Sequence, residues 1–272
     1  MKRKSFFERL AGVQKRNASI LCIGLDPEPA KMPKPFRRPD SGAAIARFNC
    51  AIIEATSDLV CAYKPNWAFY EALGLEGILA LERTLEAIPA GIPIIADAKR
   101  GDIGNTARCY AKAIFDVWGA DAVTLNPYMG FDTLEPFLEY RDRGVYALCL
   151  TSNPGAEDFE TPGRLYLRIA RTLAENDRHG NIGLVVGATQ TRRIAAVRRA
   201  APRLPFHLPG VGAQGGSARA AVRGAWGERP GSVLVNVSRS ALYASSGSDF
   251  AEAARKSAEE FRRTLQGCVP ES

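Results

Sequence analysis

Eight short apolar runs, each followed by an amphipathic segment, divide this 272-residue chain almost from end to end. Apolar runs bounded by Gly and Pro are typical of parallel strands that are covered on both faces. Eight such units predict an α/β fold, a single closed (β/α)8 TIM barrel rather than an open doubly wound sheet. The predicted strands are residues 19–26, 59–64, 92–99, 122–126, 145–151, 183–189, 205–210 and 232–239. The predicted helices are residues 4–16, 42–57, 68–88, 105–118, 133–142, 164–177, 190–200, 217–224 and 248–266.

The even spacing of these units predicts a single domain. No shift in composition marks a boundary, and barrels of ~250 residues commonly form one unit. We therefore expect one barrel over residues 1–272, with an N-terminal helix within residues 1–18 ahead of the first strand. Two long loops, residues 27–39 and 152–163, are either functional or plain surface insertions.

Composition excludes several classes of protein. The chain is 46% apolar and 24% charged, and it contains no apolar run of the ~18 residues that a membrane span needs. The six cysteines show neither Cys-x-x-Cys pairs nor metal-ligand spacing, so we expect reduced, structural thiols in a cytoplasmic protein. Only His179 and His207 are present, which leaves little for a His-based zinc site or a hydrolase triad.

The formal net charge of +7 has two interpretations. Nucleic-acid binding is one, but the arginines lie in helical patterns such as Arg192-Arg193, without interleaved aromatic residues. A solvated basic surface is the better interpretation. Its positive field also favours the capture of an anionic small molecule.

A cluster of charges follows the third apolar run, in the sequence Asp97-Ala98-Lys99-Arg100-Gly101-Asp102. In a strand, Asp97 and Lys99 lie on the same side, and Asp102 falls in the following turn. A salt bridge between strand and loop would account for the lysine and one carboxylate. It leaves the second carboxylate unexplained, and charges buried only for stability are costly. We therefore interpret the cluster as a catalytic site.

Polar residues also stand at the carboxyl ends of the other predicted strands, where barrel enzymes place their chemistry. Taken singly, each has an ordinary structural explanation as a turn residue or a surface-reaching side chain. Together they predict a polar ring around one cavity mouth. The set consists of Asp26, Lys64, Asp97, Lys99, Asn126, Thr151, Ser152, Gln214 and Arg239.

The last two units predict a phosphate site. Residues 209–216 form a glycine-rich loop after the seventh strand, and glycines let backbone N–H groups approach an anion closely. Arg239 follows the eighth strand and offers a guanidinium fork suited to phosphate. Phosphate sites of barrels are frequently built from these two loops.

These motifs, in this order, resemble the orotidine 5'-monophosphate decarboxylase family, and in particular its longer bacterial form. The resemblance covers about residues 19–243. It depends on Asp97-x-Lys99-x-x-Asp102-Ile103 followed by Thr106, on Gly24-Leu25-Asp26, Lys64 and Ser238-Arg239, and on the strings Ala98–Gly104 and Thr151–Gly155.

The resemblance implies decarboxylation of orotidine monophosphate to uridine monophosphate, without a metal or an organic cofactor. It implies that Asp26 and Lys64 hold the ribose hydroxyls and form a charged chain with Asp97 and Lys99. Losing carbon dioxide leaves negative charge on ring carbon-6, so a fixed cation is needed there. Lys99 fits this role and can then donate the proton that completes the product.

The remaining implied contacts surround the other parts of the substrate. Ser152 would bind the amide edge of the pyrimidine. Gln214 and Arg239 would bind the phosphate, with Gly215 and Ser238 adding backbone donors. Some family members also hold phosphate with a tyrosine after the glycine-rich loop, but no tyrosine lies between residues 211 and 235 here.

The resemblance also implies a homodimer as the catalytic unit. Asp102, Ile103 and Thr106 would reach into the site of the partner subunit. The expected partners are therefore the small-molecule nucleotide and a second copy of the chain, with no nucleic acid and no membrane.

Three alternatives remain open from the residues. A Schiff-base aldolase also places a lysine in a phosphate-binding barrel, but it needs a neutral amine, and Lys99 has anionic neighbours. Lys64 remains possible as the lysine of such an enzyme. Metal-dependent relatives need carboxylate ligands where this chain has Lys64. A non-enzymatic nucleotide-binding protein would tolerate loss of the charged residues, yet all of them are present.

Overall fold

The computed structural model describes residues 4–37, 41–211 and 215–270. Eight parallel strands lie in the order β2-β1-β8-β7-β6-β5-β4-β3. They are β1 (Leu21–Leu25), β2 (Ala62–Pro65), β3 (Ile95–Arg100), β4 (Ala122–Leu125), β5 (Gly144–Leu150), β6 (Ile182–Val186), β7 (Phe206–Pro209) and β8 (Val233–Val237). The predicted (β/α)8 barrel is thus confirmed, and each strand falls at its predicted place, mostly a few residues shorter.

The barrel closes where β2 meets β3, and this junction is the least regular in the sheet. Two isolated bridges join the strands, Tyr63 with Ile94 and Asn66 with Asp97. The backbone N–H of Trp67 also donates to the Asp97 carbonyl at 3.2 Å. Asp97, a residue of the predicted catalytic cluster, therefore forms part of this junction.

Helices surround the strands, and none that the described ranges contain is long and apolar enough to cross a membrane. They are α1 (Phe6–Asn17), α2 (Gly42–Thr56), α3 (Ala68–Glu71), α4 (Gly74–Ala87), α5 (Gly104–Lys112), α6 (Glu135–Leu138), α7 (Ala156–Phe159), α8 (Leu165–Glu175), α9 (Thr191–Ala200), α10 (Gly215–Ala225), α11 (Arg239–Leu242) and α12 (Phe250–Gln266). A π-helical turn, Ala113–Val117, extends α5.

Three helical predictions need correction in detail. The single helix predicted over 68–88 is two helices, because Gly74 adopts φ +59° between them. The helix predicted over 133–142 is shorter, and the loop predicted over 152–163 contains the helix α7. Helices this short lack the apolar periodicity that a sequence pattern detects.

Helix α1 closes the amino end of the barrel. Ser5 caps it in a capping box, accepting from the Glu8 N–H at 3.3 Å while its own N–H donates to Glu8 Oε2 at 2.7 Å. Phe6 and Phe7 are buried, and both rings meet Tyr146 edge to face, at centroid distances of 6.0 and 5.6 Å. Gly144, the first residue of β5, has no side chain because the Phe6 ring occupies that space.

The interior of the barrel contains one imidazole among the described residues. His207 lies in β7 and is fully buried, next to the Tyr146 ring. Burial lowers the pKa of His207 to about 3, and the Lys64 ammonium adds to this effect. The imidazole is therefore neutral at physiological pH.

The contact between α1 and β5 gives a stability prediction. A Cβ at position 144 would lie 2.3 Å from Phe6 Cδ1, whereas a Cβ at position 12 would meet nothing within 4 Å. We expect Gly144→Ala to lower the free energy of unfolding by about 1–3 kcal/mol through overpacking. The matched Gly12→Ala should raise it by about 0.5–1 kcal/mol, since α1 is helical there. Urea denaturation measures both, and equal effects would contradict the packing described.

Candidate active site

Three charged side chains meet at the junction of β2 and β3. Asp97 Oδ2 lies 2.6 Å from Lys64 Nζ, and Asp97 Oδ1 lies 2.6 Å from Lys99 Nζ. Thr124 of β4 donates its hydroxyl proton to the same Oδ1 at 2.9 Å. One carboxylate thus joins two ammonium groups and a hydroxyl, and the predicted proximity of Asp97 to Lys99 is a direct ion pair.

Burial and charge act in opposite directions on this cluster. Burial alone would raise the pKa of Asp97, but the Lys64 and Lys99 ammonium groups outweigh it and hold this pKa well below its usual range. Burial alone would lower the pKa of Lys64, and the Asp97 and Asp26 carboxylates outweigh it and raise this pKa instead. Asp97 and Lys64 are therefore both ionised at neutral pH.

Lys99 is the member of the cluster that faces the barrel mouth. Its side chain is 48% exposed, against 3% for Lys64 and 9% for Asp97. Its backbone adopts φ +46°, a conformation that L residues rarely take and that costs on the order of 1–3 kcal/mol. A hydrogen bond from the Lys99 N–H to Thr124 Oγ1, at 3.0 Å, supports this conformation. The ammonium is thus held by Asp97 and remains accessible to a ligand.

Asp26 lies beside Lys64 at the end of β1. Its Oδ1 accepts from the Asn66 N–H at 3.2 Å, which ties β1 to the residues after β2. Gly24 lets the ends of β1 and β8 approach, because a Cβ there would lie 2.9 Å from Ser238 Cβ and 3.1 Å from Asp26 Oδ2. Asp26 and Ser238 therefore face the same space near Lys64.

Ser152 follows β5 on the other side of the mouth and is exposed. A Cβ on Gly187, which follows β6, would lie 2.7 Å from the Ser152 Cα, so this glycine is required for the close approach. Gly210, after β7, is also adjacent: a Cβ there would lie 3.4 Å from Ser152 Cβ. The carboxyl ends of three consecutive strands therefore converge on Ser152.

The predicted phosphate residues follow the neighbouring strands β7 and β8. Gly215 is the first residue of α10, and Arg239 is the exposed first residue of α11. Ser238, between β8 and α11, has a buried hydroxyl without a hydrogen-bond partner among the described residues. Gln214 lies outside the described residues.

Asp102, Ile103 and Thr106 follow β3, and no ion pair joins Asp102 to Lys99 within the described part of the chain. Asp102 lies between β3 and α5, and its Oδ1 accepts from the Ile103 N–H at 2.8 Å. Ile103 is 57% exposed, and Thr106 is also exposed. Among the described residues of one chain, the carboxylate paired with Lys99 is that of Asp97.

Thr124 was not among the residues predicted from the sequence. It is buried in the run Ala122-Val123-Thr124-Leu125, where its hydroxyl bonds both Asp97 and the Lys99 backbone. A hydroxyl within an otherwise apolar buried strand is the signal that could have indicated it, because buried polar groups need partners.

The fold and this cluster define a class of protein: a (β/α)8-barrel enzyme with a lysine–carboxylate–lysine array at the carboxyl ends of its strands. A sequence profile of the orotidine 5'-phosphate decarboxylase / HUMPS family matches residues 19–256. The chain belongs to this family.

Individual relatives agree with the family assignment. The chain is 52% identical over 263 residues to the orotidine 5'-phosphate decarboxylase of Herpetosiphon aurantiacus, covering 94% of this chain and 96% of the relative. It is 50% identical over 271 residues to the orotidine 5'-phosphate decarboxylase of Roseiflexus castenholzii, covering 97% of this chain and 98% of that relative. The solved structure of Leishmania donovani OMP decarboxylase superposes with a TM-score of 0.84 at 39% identity, covering 97% of this chain and 98% of that one.

The ion-pair array predicts an unusual pH dependence for Asp97→Asn. Removing the carboxylate leaves Lys64 buried without its ion-pair partner, with Asp26 as the remaining carboxylate that acts on it among the described residues, so its folded-state pKa should fall below the ~10.4 of an unfolded lysine. The unfolded state then binds more protons, and stability rises with pH up to about 10. In the wild type the pKa of Lys64 is raised, so its contribution is complete below the unfolded pKa and is lost only above it.

Urea denaturation at pH 7, 8, 9 and 10 measures this difference. At pH 7 we expect Asp97→Asn to lower the free energy of unfolding by about 3–5 kcal/mol. The double variant Lys64→Met/Asp97→Asn should lose the rise with pH. A single variant whose stability follows pH in the same way as that of the wild type would show that Lys64 does not depend on Asp97.

Proposed function

We propose that residues 1–272 act as one domain that converts orotidine 5'-monophosphate to uridine 5'-monophosphate and carbon dioxide, with Lys99 as the catalytic residue. The observation that carries the proposal is the Lys99 ammonium, held at 2.6 Å by Asp97 and half exposed at the barrel mouth. The names of the relatives and the family assignment support the substrate.

The chemistry breaks the bond between ring carbon-6 and its carboxylate. The bonding electron pair stays on carbon-6, where no adjacent carbonyl can absorb it, and carbon dioxide leaves. A cation fixed beside carbon-6 stabilises this charge as it develops. Lys99 then transfers a proton to carbon-6, which completes uridine monophosphate, and regains a proton from solvent.

Asp97 positions the Lys99 ammonium. Because its carboxylate also binds Lys64 and Thr124, it cannot turn away from Lys99 without losing several contacts. Such preorganisation avoids a reorganisation cost during the reaction. The same arrangement opposes a Schiff-base mechanism, which needs a neutral amine, since the carboxylates raise the pKa of Lys64.

The remaining site residues are assigned to the remaining parts of the substrate. Asp26 and Lys64, at the ends of β1 and β2, hold the ribose hydroxyls, and Ser152 binds the amide edge of the pyrimidine. The phosphate is bound by Gln214, Gly215, Ser238 and Arg239. The positions of the described members after β1, β2, β5, β7 and β8 support this assignment.

The catalytic unit is a homodimer in which Asp102, Ile103 and Thr106 reach the site of the partner subunit. Two observations support it. Asp102 makes no contact with Lys99 in its own chain, as far as the described residues show. Three large apolar side chains are exposed along this segment: Ile103 just before α5, Tyr110 in α5 and Val117 in the π-helical extension, at 57%, 36% and 69%. A second copy would cover these side chains. We also place the enzyme in the cytoplasm.

We predict that Lys99→Ala lowers kcat by more than about 10³-fold, because both the fixed cation and the proton donor are lost. The fall in absorbance of orotidine monophosphate measures turnover, and the thermal unfolding midpoint of the variant checks that it folds. The assay is run in chelator, because the proposed reaction needs no metal. Near-normal turnover of a folded Lys99→Ala protein, or loss of wild-type turnover in chelator, would contradict the mechanism.

We also predict that two inactive variants restore activity when mixed. In the proposed dimer, each site takes Lys99 from one chain and Asp102 from the other. A mixed dimer of Lys99→Ala and Asp102→Ala chains therefore has one site with both substitutions and one intact site. After unfolding and refolding together at equal amounts, about a quarter of wild-type activity should return, since half of the dimers are mixed and each has one good site. Absence of recovery, in samples shown to exchange subunits, would place Asp102 in its own chain's site.

A further inference from the structure

The segment after β5 folds back so that its far end contacts its beginning. Helix α7 turns the chain around, and Glu160 returns to Thr151, the residue that directly precedes Ser152. Glu160 Oε2 accepts from the Thr151 N–H at 2.6 Å, and Glu160 Oε1 accepts from the Thr151 hydroxyl at 2.8 Å. A single carboxylate thus binds both donors of one residue.

The peptide groups on either side of Ser152 are also held. The Thr151 carbonyl accepts from Gln190 Nε2 at 3.1 Å. The Ser152 carbonyl accepts from the Thr189 hydroxyl at 3.3 Å. Because both flanking peptide planes are bonded to the start of α9, the backbone of Ser152 has little freedom to rotate.

Apolar packing contributes little to this arrangement. Residues 152–155 are exposed, Phe159 is 75% exposed, and Ala156 is the buried residue of α7. Segments with few buried apolar contacts open easily. The order of the segment therefore depends on its polar contacts, among them the two bonds that join Glu160 to Thr151, the residue before Ser152.

We propose that Glu160 is a positioning residue that fixes Ser152 for contact with the pyrimidine ring. The inference depends on the proposed function, because it assumes that Ser152 binds the substrate. It assigns a role to the segment 152–163: the segment is the support of one wall of the site. Glu160 acts through Thr151 and does not itself touch the substrate.

The hydrogen bonds predict that Glu160 supports Ser152 through its hydrogen-bonding geometry and not through its negative charge. The Thr151 hydroxyl has a single proton to donate. Its oxygen lies 2.6 Å from Asn153 Oδ1 and 2.8 Å from Glu160 Oε1. A glutamine at position 160 could accept from the Thr151 N–H and donate its amide proton to the hydroxyl, which would then donate to Asn153. Glu160→Gln therefore preserves the support, whereas Glu160→Ala removes it.

Steady-state decarboxylation of orotidine monophosphate tests the proposal. We expect Glu160→Ala to lower kcat/KM about 10- to 100-fold, where a factor of ten corresponds to ~1.4 kcal/mol. The kcat/KM of Glu160→Gln should stay within about threefold of the wild type, and that of Asp158→Ala should be unchanged. Asp158 is the matched control: it lies two residues away on exposed α7 and has no side-chain hydrogen bond within the described part of the chain.

A double-variant comparison shows whether Glu160 acts through Ser152. Glu160→Ala/Ser152→Ala should be no worse than Ser152→Ala alone, because the support has no purpose once the hydroxyl is gone. Multiplicative losses would overturn the proposal, as would a Glu160→Gln defect equal to that of Glu160→Ala. Should Glu160→Ala fail to fold, Gln190→Leu removes the donor to the Thr151 carbonyl, and the same comparison applies.

These outcomes separate the inference from the proposed function. An inactive wild type would contradict the proposed function itself. An active wild type with an unimpaired Ser152→Ala variant would remove the assumption about Ser152 and overturn the inference. An impaired Ser152→Ala variant beside a fully active Glu160→Ala variant would leave the function intact and overturn the inference alone.

Discussion

The carboxylate of Asp97 connects the stability of this barrel to its chemistry. It binds Lys64 from β2 and Lys99 from its own strand, and its backbone carbonyl accepts the hydrogen bond that helps to close the barrel between β2 and β3. An ammonium as deeply buried as that of Lys64 would be unstable without a carboxylate partner. The closure of the fold and the orientation of the Lys99 ammonium therefore meet at one residue.

The strained backbone at Lys99 follows from the same arrangement. A regular strand would place the side chains of residues 97 and 99 side by side, pointing in one direction. The positive φ of Lys99 and the irregular register between β3 and β4 instead bring its ammonium onto Asp97 while leaving it open to the mouth. Thr124 and Asp97 supply the bonds that keep this conformation, as is common where a functional side chain needs an unusual direction.

The sequence predicted the architecture well because the information is local. Each apolar run between Gly and Pro residues indicates its own strand, and eight of them leave few alternatives to a barrel. The Asp97–Asp102 cluster was likewise visible, since charged residues directly after a buried strand are uncommon. The role of Thr124 was not visible, because it depends on a partner 27 residues away in another strand. Glu160 was missed for a related reason: only the short helix α7 brings it back to Thr151, and no periodicity indicates so short a helix.

A structure of the protein with uridine monophosphate bound tests the central claim most directly. The account predicts that Lys99 Nζ lies within about 3.5 Å of ring carbon-6, the distance expected of reacting atoms held for transfer. It also predicts that Asp97 stays in contact with that ammonium. A pyrimidine ring whose carbon-6 lies beyond reach of Lys99, with the nucleotide seated in the same mouth, would contradict the account.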